Sequence, residues 1–218
     1  MNQQPPSNNS LVLSYLGLRK AVGIIGIALP FVLAFGKIWL ESPGIQSSIS
    51  AYYYTVMRDV FVGSLCAIAI FLMSYRYELD DDIAGDVACI FALGVALFPT
   101  TPELNATDRD KIIGVVHLIS AAGFFLTLAF FSFVLFRRTH KDKPRTPMKV
   151  WRDRVYAVCG IVIFACVILA AIVGFMSSDS PIKRLDPVFW LEATAIVAFG
   201  ISWFTKGEAI AFLNDDED

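Results

Sequence analysis

A run of 25 residues without Asp, Glu, Lys or Arg, from Ile112 to Phe136, constrains this chain more than any other feature. At 1.5 Å per residue such a helix is about 38 Å long, and the hydrocarbon core of a bilayer is about 30 Å thick. The run therefore predicts a transmembrane helix. The basic segment that follows, residues 137–154, holds eight of the eighteen Lys and Arg residues. Such a segment is typical of a cytoplasmic loop.

The composition of the whole chain indicates the same class of protein. Of its 218 residues, 56% are hydrophobic and 17% are charged, which is too little charge to coat a soluble domain of this size. The net charge is −2, and charges of opposite sign are segregated along the chain. Positive charges cluster in the basic segment and negative charges in an acidic C-terminal tail, residues 214–218. This distribution argues against nucleic acid as a partner.

We expect an all-α fold, a polytopic membrane bundle of six transmembrane helices in a single domain, residues 10–213. A disordered N-terminal tail, residues 1–9, precedes it. The expected spans are about 18–40, 52–76, 83–98, 111–136, 150–176 and 187–210. Short links join these spans. The flanks and links on one side of the membrane contain twelve Lys and Arg residues and those on the other side contain six. Because the more basic side faces the cytoplasm, both termini are expected there.

Local signals mark the starts of three helices and one close helix contact. Thr107 and Asp110 have the spacing of a capping box for the fourth helix. The pairs Thr146–Pro147 and Asp186–Pro187 are typical of the starts of the fifth and sixth, because proline is favoured at the first helical position. The third helix has a stripe of small residues that predicts close approach of a neighbour: Gly85, Cys89, Ala92 and Ala96.

Four ionisable side chains are expected in the outer half of the bundle: Arg58, Asp59, His117 and Glu192. A charged group inside the membrane costs about 2.5 kcal/mol or more on insertion scales, so each should face a partner, water or the bundle interior. We expect them to share one outward-facing polar cavity. The structural alternatives are an interfacial Arg58–Asp59 ion pair, a His117 hydrogen bond to a neighbouring helix, and burial of Glu192 against a donor such as Arg58.

Aromatic residues are expected around the mouth of this cavity: Tyr52, Tyr53, Tyr54 and Trp190. Such rings are enriched where a bilayer meets water. Together with a guanidinium, which donates in a forked geometry, they suit a lipid headgroup or a small amphiphile as ligand.

Metal and cofactor chemistry is not expected. One histidine at depth is too few for a catalytic zinc or a bis-histidine haem, and the four cysteines lie in apolar segments without a CxxC pair. GxSxG, HExxH and glycine-rich phosphate-loop patterns are absent from the sequence. The weak catalytic candidates are His117 as a base, with Asp59 or Glu192 orienting it.

Three stretches carry a resemblance to known proteins: SISAYYYTVMRDVFVG, IFALGVALFPTTP and GVVHLISAAGFF. With WLEATAIVAFGISWFTKGE, they resemble a group of uncharacterised bacterial six-span integral membrane proteins. More distantly, the FP pair followed by a histidine in the next helix is similar to the superfamily of the damage-regulated autophagy modulators and Sfk-type proteins. The resemblance implies a six-helix fold, lipid-related work and, for a bacterial host, the inner membrane. It carries no catalytic residues to this chain.

The leading functional prediction is a non-catalytic protein of the cell membrane whose partners are membrane lipids or a small amphiphilic ligand. The alternatives are a small proton-coupled transporter, with Glu192 and His117 exchanging protons, and a lipid-modifying enzyme. Assembly into a homo-oligomer stays open. The basic segment either only orients the chain or also binds anionic lipid.

Overall fold

The computed structural model describes residues 8–139, 146–177 and 180–214. Within these residues the chain forms α-helices, short 3-10 helices and one π-helical turn, with no strand. The α-helices are α1 (Asn8–Leu40), α2 (Arg58–Met73), α3 (Leu79–Leu97), α4 (Asp108–Phe130), α5 (Pro147–Gly174) and α6 (Pro187–Lys206). The all-α prediction is confirmed.

Four of these helices are long and apolar enough to cross a membrane: Leu16–Leu40, Asp108–Leu135, Pro147–Gly174 and Pro187–Lys206. Helix α2 has 16 residues, a rise of about 24 Å, which is less than the hydrocarbon thickness. Helix α3 has 19 residues but carries Asp80, Asp81 and Asp82 in its first turn and Asp86 in its second. The length and apolar composition of four helices therefore indicate a membrane protein.

The predicted second span, 52–76, begins too early. Tyr52–Tyr54 belong to a separate 3-10 helix, Ser50–Tyr54, which ends where Thr55 takes an extended conformation. The Thr55 hydroxyl donates to the Tyr52 carbonyl oxygen (2.9 Å) and accepts from the Met57 N–H (3.1 Å), so the chain turns before α2 can begin. The tyrosines lie in a link, outside the spanning helix.

The other boundaries differ less. Helix α1 begins before residue 18, and Asn8 and Asn9 of the predicted tail 1–9 are helical, while residues 1–7 lie outside the described residues. Helix α3 begins four residues before the predicted 83–98, because its aspartates form the first turn. The sixth span stops at Lys206 rather than 210, since Glu208 has φ 55°. All of the tail 214–218 except Asn214 lies outside the described residues.

The predicted helix starts at Thr107 and Thr146 are confirmed. Thr107 and Asp110 form a reciprocal capping box, and the Thr146 hydroxyl accepts from the Lys149 N–H (3.1 Å) with Pro147 at the first helical position. Pro187 also stands at the first position of α6, but the Asp186 side chain does not cap it. Asp186 has φ 49° and ψ 49°, a left-handed conformation, so its backbone reverses the chain there.

The six helices form a closed ring, because each contacts the next in the chain and α6 packs extensively on α1. The contact of α1 with α6 depends on glycines. A Cβ on Gly200 would lie 2.7 Å from the Ile27 nitrogen and 2.8 Å from the Gly23 oxygen. The small-residue stripe of α3 is buried as predicted, and a Cβ on Gly85 would lie 2.6 Å from the Leu72 oxygen of α2.

The bundle has two chemically different ends. At the basic end, α1 meets α6, where the Arg19 guanidinium donates to the Lys206 carbonyl (3.2 Å). The first turn of α3 meets the start of the basic segment there, where Arg138 pairs with Asp80 (2.8 Å). An aromatic cluster fills the bundle beneath this end: Tyr75, Phe131, Phe136, Tyr156 and Trp203. The opposite end contains the links 41–57 and 98–107 and, of the link between α5 and α6, the described residues 175–177 and 180–186.

Candidate functional site

The link between α1 and α2 folds over the opposite end and is fastened to α6. The Phe189 N–H donates to the Ser47 carbonyl (3.1 Å), and the Phe189 ring lies 6.2 Å from the fully buried Tyr52 ring. At the α1 side, the Lys37 ammonium donates to the Gly44 carbonyl (3.1 Å). The link therefore forms a fixed cover over the bundle.

Glu192 holds this cover from below. One of its carboxylate oxygens accepts from the Ile49 N–H (2.7 Å) and, more weakly, from the Ser50 N–H (3.4 Å). These are donors at the start of the 3-10 helix Ser50–Tyr54, which would otherwise be unpaired at a helix N-terminus. The alternative in which Glu192 packs against a donor is therefore correct in kind, but the donors are backbone amides and not Arg58.

His117 is buried, and its Nδ1–H donates to the Phe98 carbonyl (2.6 Å). Nearby, a Cβ on Gly114 would lie 1.9 Å from the Thr101 hydroxyl oxygen, so the loop after α3 rests directly on α4. The Tyr54 hydroxyl donates to the Thr100 carbonyl (2.6 Å) on the other side of this loop. His117 thus has the structural role of a hydrogen bond to the end of a neighbouring helix.

Arg58 and Asp59 are exposed in the first turn of α2. The Arg58 guanidinium lies 4.4 Å from the centroid of the Tyr53 ring and donates to the Tyr53 hydroxyl (2.9 Å). No ion pair joins Arg58 to Asp59 in the described part of the chain, so that alternative is also wrong. Asp59 is shallower than predicted because α2 begins at Arg58 and not near Tyr52.

Three of the ionisable site residues therefore each have their own contact partner in the described part of the chain. His117 contacts the loop after α3, Arg58 contacts Tyr53, and Glu192 contacts the α1–α2 link. Trp190 is 58% exposed, with its ring edge-on to Phe189. Across residues 8–139, 146–177 and 180–214, no hydrogen bond joins His117 to Asp59 or Glu192, so the proposed catalytic pair is not assembled in this structure.

A cavity of about 530 Å³ lies between α4, α5 and α6, and Glu192 is its single charged lining residue. Helix α4 contributes Leu118, Ala121, Ala122 and Phe125; α5 contributes residues from Cys166 to Phe175; α6 contributes Val188, Leu191 and Ala195. Leu118 and Phe175 are 66% and 93% exposed, so the cavity reaches the apolar outer surface of the bundle. We call it the Glu192 cavity.

Sequence reasoning missed the α5 wall of this cavity. The wall consists of small residues near the end of the helix: Ala170, Ala171 and Gly174. Their signal is the cluster of small side chains in ILAAIVG, which leaves room that larger residues would fill. Because this cluster contains no polar group, it cannot be distinguished in the sequence from an ordinary helix-packing surface.

Metal ligation finds no support in the described residues, which contain no group of three or more His, Cys, Asp and Glu side chains arranged around a common point. Comparison with known proteins adds no assignment. No protein-family model matches the chain, and neither a curated protein nor a solved structure matches it. The resemblance to uncharacterised six-span proteins and to the autophagy-modulator superfamily stays a prediction, and the Glu192 cavity is the feature from which function is argued.

Proposed function

We propose that this protein binds an amphiphile from the surrounding bilayer, with the hydrocarbon part in the Glu192 cavity and a hydrogen-bond-donating head at the carboxylate. One observation carries the proposal: a cavity of about 530 Å³, within the usual range of ligand sites, has thirteen uncharged lining residues and one carboxylate. Apolar walls favour a hydrocarbon chain, and a few polar groups fix its orientation.

The carboxylate sets the chemistry of the head. Only one Glu192 oxygen accepts the two backbone N–H groups of the cover. A carboxylate has about four lone-pair sites, so acceptor capacity remains for a ligand donor. An ammonium head suits this place better than a phosphate or a carboxylate, because a buried anion is stabilised by an opposite charge. The preferred ligand is therefore an amine-bearing lipid or amphiphile.

The transporter and enzyme alternatives have less support. A proton-coupled carrier needs a polar path from Glu192 to the basic end, but large apolar side chains are fully buried in the bundle interior: Leu128, Phe131, Phe199 and Trp203. A lipid-modifying enzyme of the predicted kind needs Asp59 or Glu192 within about 3.2 Å of the His117 imidazole to orient it, and in the described residues the group that orients this ring is the Phe98 carbonyl.

We infer that α2 and α3 also cross the membrane, which gives six spans. Helix α2 has no charge after Asp59, and α3 packs against both α2 and α4. Because α2 and α3 are consecutive, four spans and six spans both leave the two termini on one side. The count of basic residues assigns that side to the cytoplasm of a cell membrane, or of the inner membrane in a bacterium. Protease access to residues 140–145 from the cytoplasmic face alone tests this orientation.

The binding proposal predicts that filling the cavity removes the lipid. A Cβ on Gly174 has open space around it, so Gly174→Leu enlarges the cavity wall without a backbone clash. We expect this variant to retain at least about fivefold less palmitoyl-oleoyl phosphatidylethanolamine than the parent in native mass spectrometry, because the Leu side chain occupies space in the cavity that the acyl chain of the lipid needs. Gly63→Leu is the matched control, since Gly63 is exposed on α2 and equally unobstructed.

The preference for an ammonium head is tested by Glu192→Gln. This substitution keeps an oxygen that accepts hydrogen bonds from the backbone amides and removes the charge. The parent should prefer phosphatidylethanolamine over phosphatidylcholine, which has no head donor, and the Gln variant should lose that preference. Equal lipid retention by the parent and Gly174→Leu, at equal thermal stability, would overturn the proposal.

A further inference from the structure

A small cavity of about 10 Å³ lies at the basic end of the bundle, where α1 and α6 meet the end of α2. Its polar lining residues are Arg19, Ser74, Tyr75 and Trp203, and the others are apolar. We call it the Arg19 cavity. The lining, all of it in the described part of the chain, contains no Asp or Glu. The Arg19 cavity shares no lining residue with the Glu192 cavity, so the two are separate sites.

Two buried N–H groups on residues of this lining have no hydrogen-bond partner among the described residues: the Nε of Arg19 and the Nε1 of Trp203. Arg19 is 8% exposed and Trp203 is 1% exposed, so bulk water does not satisfy these groups. Both are donors only, because neither nitrogen has a lone pair that accepts a hydrogen bond. Buried donors in folded proteins are normally paired. The two N–H groups therefore indicate an acceptor that the described chain does not supply.

Arg19 also carries a charge that no carboxylate balances. One of its terminal nitrogens donates to the Lys206 carbonyl (3.2 Å), and its guanidinium carbon lies 5.5 Å and 4.9 Å from the ring centroids of Tyr75 and Tyr77. These partners are uncharged. Within the described residues, the ion pairs join other side chains and leave Arg19 without an Asp or Glu. Because a guanidinium keeps its positive charge and buried charges are normally paired, the acceptor is expected to be negative.

The size of the cavity restricts which anion fits. About 10 Å³ is close to the space that one water molecule needs, so a phosphate or a lipid headgroup is too large. A chloride ion is only slightly larger than a water molecule, and it accepts hydrogen bonds from any direction because its charge is spherical. The cavity therefore favours a monatomic anion.

A water molecule is the neutral alternative. It can accept from both N–H groups and donate to the Ser74 hydroxyl oxygen, whose own proton is donated to the Ile70 carbonyl (2.8 Å). Water would satisfy the hydrogen bonds of the cavity and leave the charge of Arg19 without a counter-ion. The two occupants thus differ in whether the stability of the protein depends on the anion in solution.

We propose that the Arg19 cavity binds a chloride ion, held by the Nε–H of Arg19 and the Nε1–H of Trp203. Hydrogen bonds to an ion are stronger than those between neutral groups. Arg19 belongs to α1 and Trp203 to α6, so the ion joins the two helices whose contact closes the ring. This site is independent of amphiphile binding, because it uses none of the residues assigned to that function.

Thermal unfolding of the purified full chain in a neutral detergent measures the binding. A thiol-reactive dye reports unfolding, since all four cysteines are free and at least partly buried. Sodium chloride replaces sodium gluconate at constant ionic strength, so only the identity of the anion changes, and gluconate is too large for the cavity. A ligand that binds the folded state raises the unfolding midpoint with its concentration. We expect chloride and bromide to raise the midpoint in this way.

Trp203→Phe removes the Nε1–H and keeps an aromatic ring in its place. We expect this variant to bind chloride about ten- to a hundredfold more weakly, because a hydrogen bond to a charged group is lost. Trp190→Phe is the matched control, since Trp190 is 58% exposed and lies near the start of α6, at the opposite end of the bundle. Its chloride dependence should equal that of the parent.

Crystals of the parent grown in bromide locate the ion independently. We expect an anomalous difference peak within hydrogen-bond distance of both Arg19 Nε and Trp203 Nε1. Equal unfolding midpoints of the parent in chloride and gluconate would assign the cavity to water and overturn the proposal, as would unchanged chloride dependence in Trp203→Phe. If Trp203→Phe does not fold, the bromide crystal decides, and a cavity without an anomalous peak contradicts the site.

Discussion

At the scale of single residues, Glu192 joins α6 to backbone amides 143 residues earlier in the chain. The sequence indicated that this carboxylate faces the bundle interior, and it lies on the wall of a cavity. Its partners were not predictable, because a backbone N–H leaves no trace in the identity of Ile49 or Ser50. The same applies to His117, whose acceptor is the carbonyl of Phe98. Side-chain identity indicated that these groups need partners, and only tertiary structure shows which ones.

Removing the Glu192 carboxylate should destabilise the protein. In Glu192→Ala the Ile49 and Ser50 amides lose their acceptor, at a cost of about 2–3 kcal/mol. For a chain of this size we expect a fall in the unfolding temperature of about 4–10 °C. Glu192→Gln keeps an acceptor oxygen and should lose less than half as much. Circular dichroism melting of the three proteins checks this, and an Ala variant as stable as the parent would contradict the capping role.

At the scale of secondary structure, helix existence could be predicted and helix limits only in part. Thr107 and Thr146 gave correct starts because an N-cap hydroxyl acts locally. Tyr52–Tyr54 gave a wrong start for α2. Their aromatic side chains look in the sequence like the beginning of the apolar run of α2, but the hydrogen bonds of the Thr55 hydroxyl turn the backbone between them and that helix. The α1–α6 contact was missed altogether. Gly23, Gly26 and Gly200 are ordinary in a membrane segment until the two helices are placed against each other.

That contact gives a prediction of opposite sign for two similar substitutions. Gly200→Ala adds a methyl group 2.7 Å from the Ile27 nitrogen, so α1 and α6 must separate, and we expect a loss of about 1–3 kcal/mol. Gly63→Ala adds the same group in open space and should gain about 0.5–1 kcal/mol from helix propensity. Denaturant unfolding of both variants in one detergent measures the difference. A stabilising Gly200→Ala would show that the two helices are farther apart than described.

At the scale of the whole molecule, the described residues form a ring of six helices, and the Glu192 cavity lies between three of them. The all-α architecture followed from composition and from apolar runs that are long enough to span a bilayer. The location of the cavities did not, because a cavity is set by what neighbouring helices fail to fill. The Glu192 cavity is not lined by Arg58, Asp59 or His117, so it is a different cavity from the one that these groups were predicted to share. Arg58, His117 and Glu192 each have a local partner, and the open volume formed where α4, α5 and α6 carry small residues.

Binding of an amphiphile in the Glu192 cavity is the central claim, and a cryo-electron microscopy structure of the full chain in phosphatidylethanolamine nanodiscs tests it most directly. We expect elongated density between α4, α5 and α6, with its polar end within about 3.2 Å of the Glu192 carboxylate, and the nanodisc enclosing all six helices. A cavity filled by side chains of α4, α5 and α6, or density whose polar end points away from Glu192, would contradict the claim.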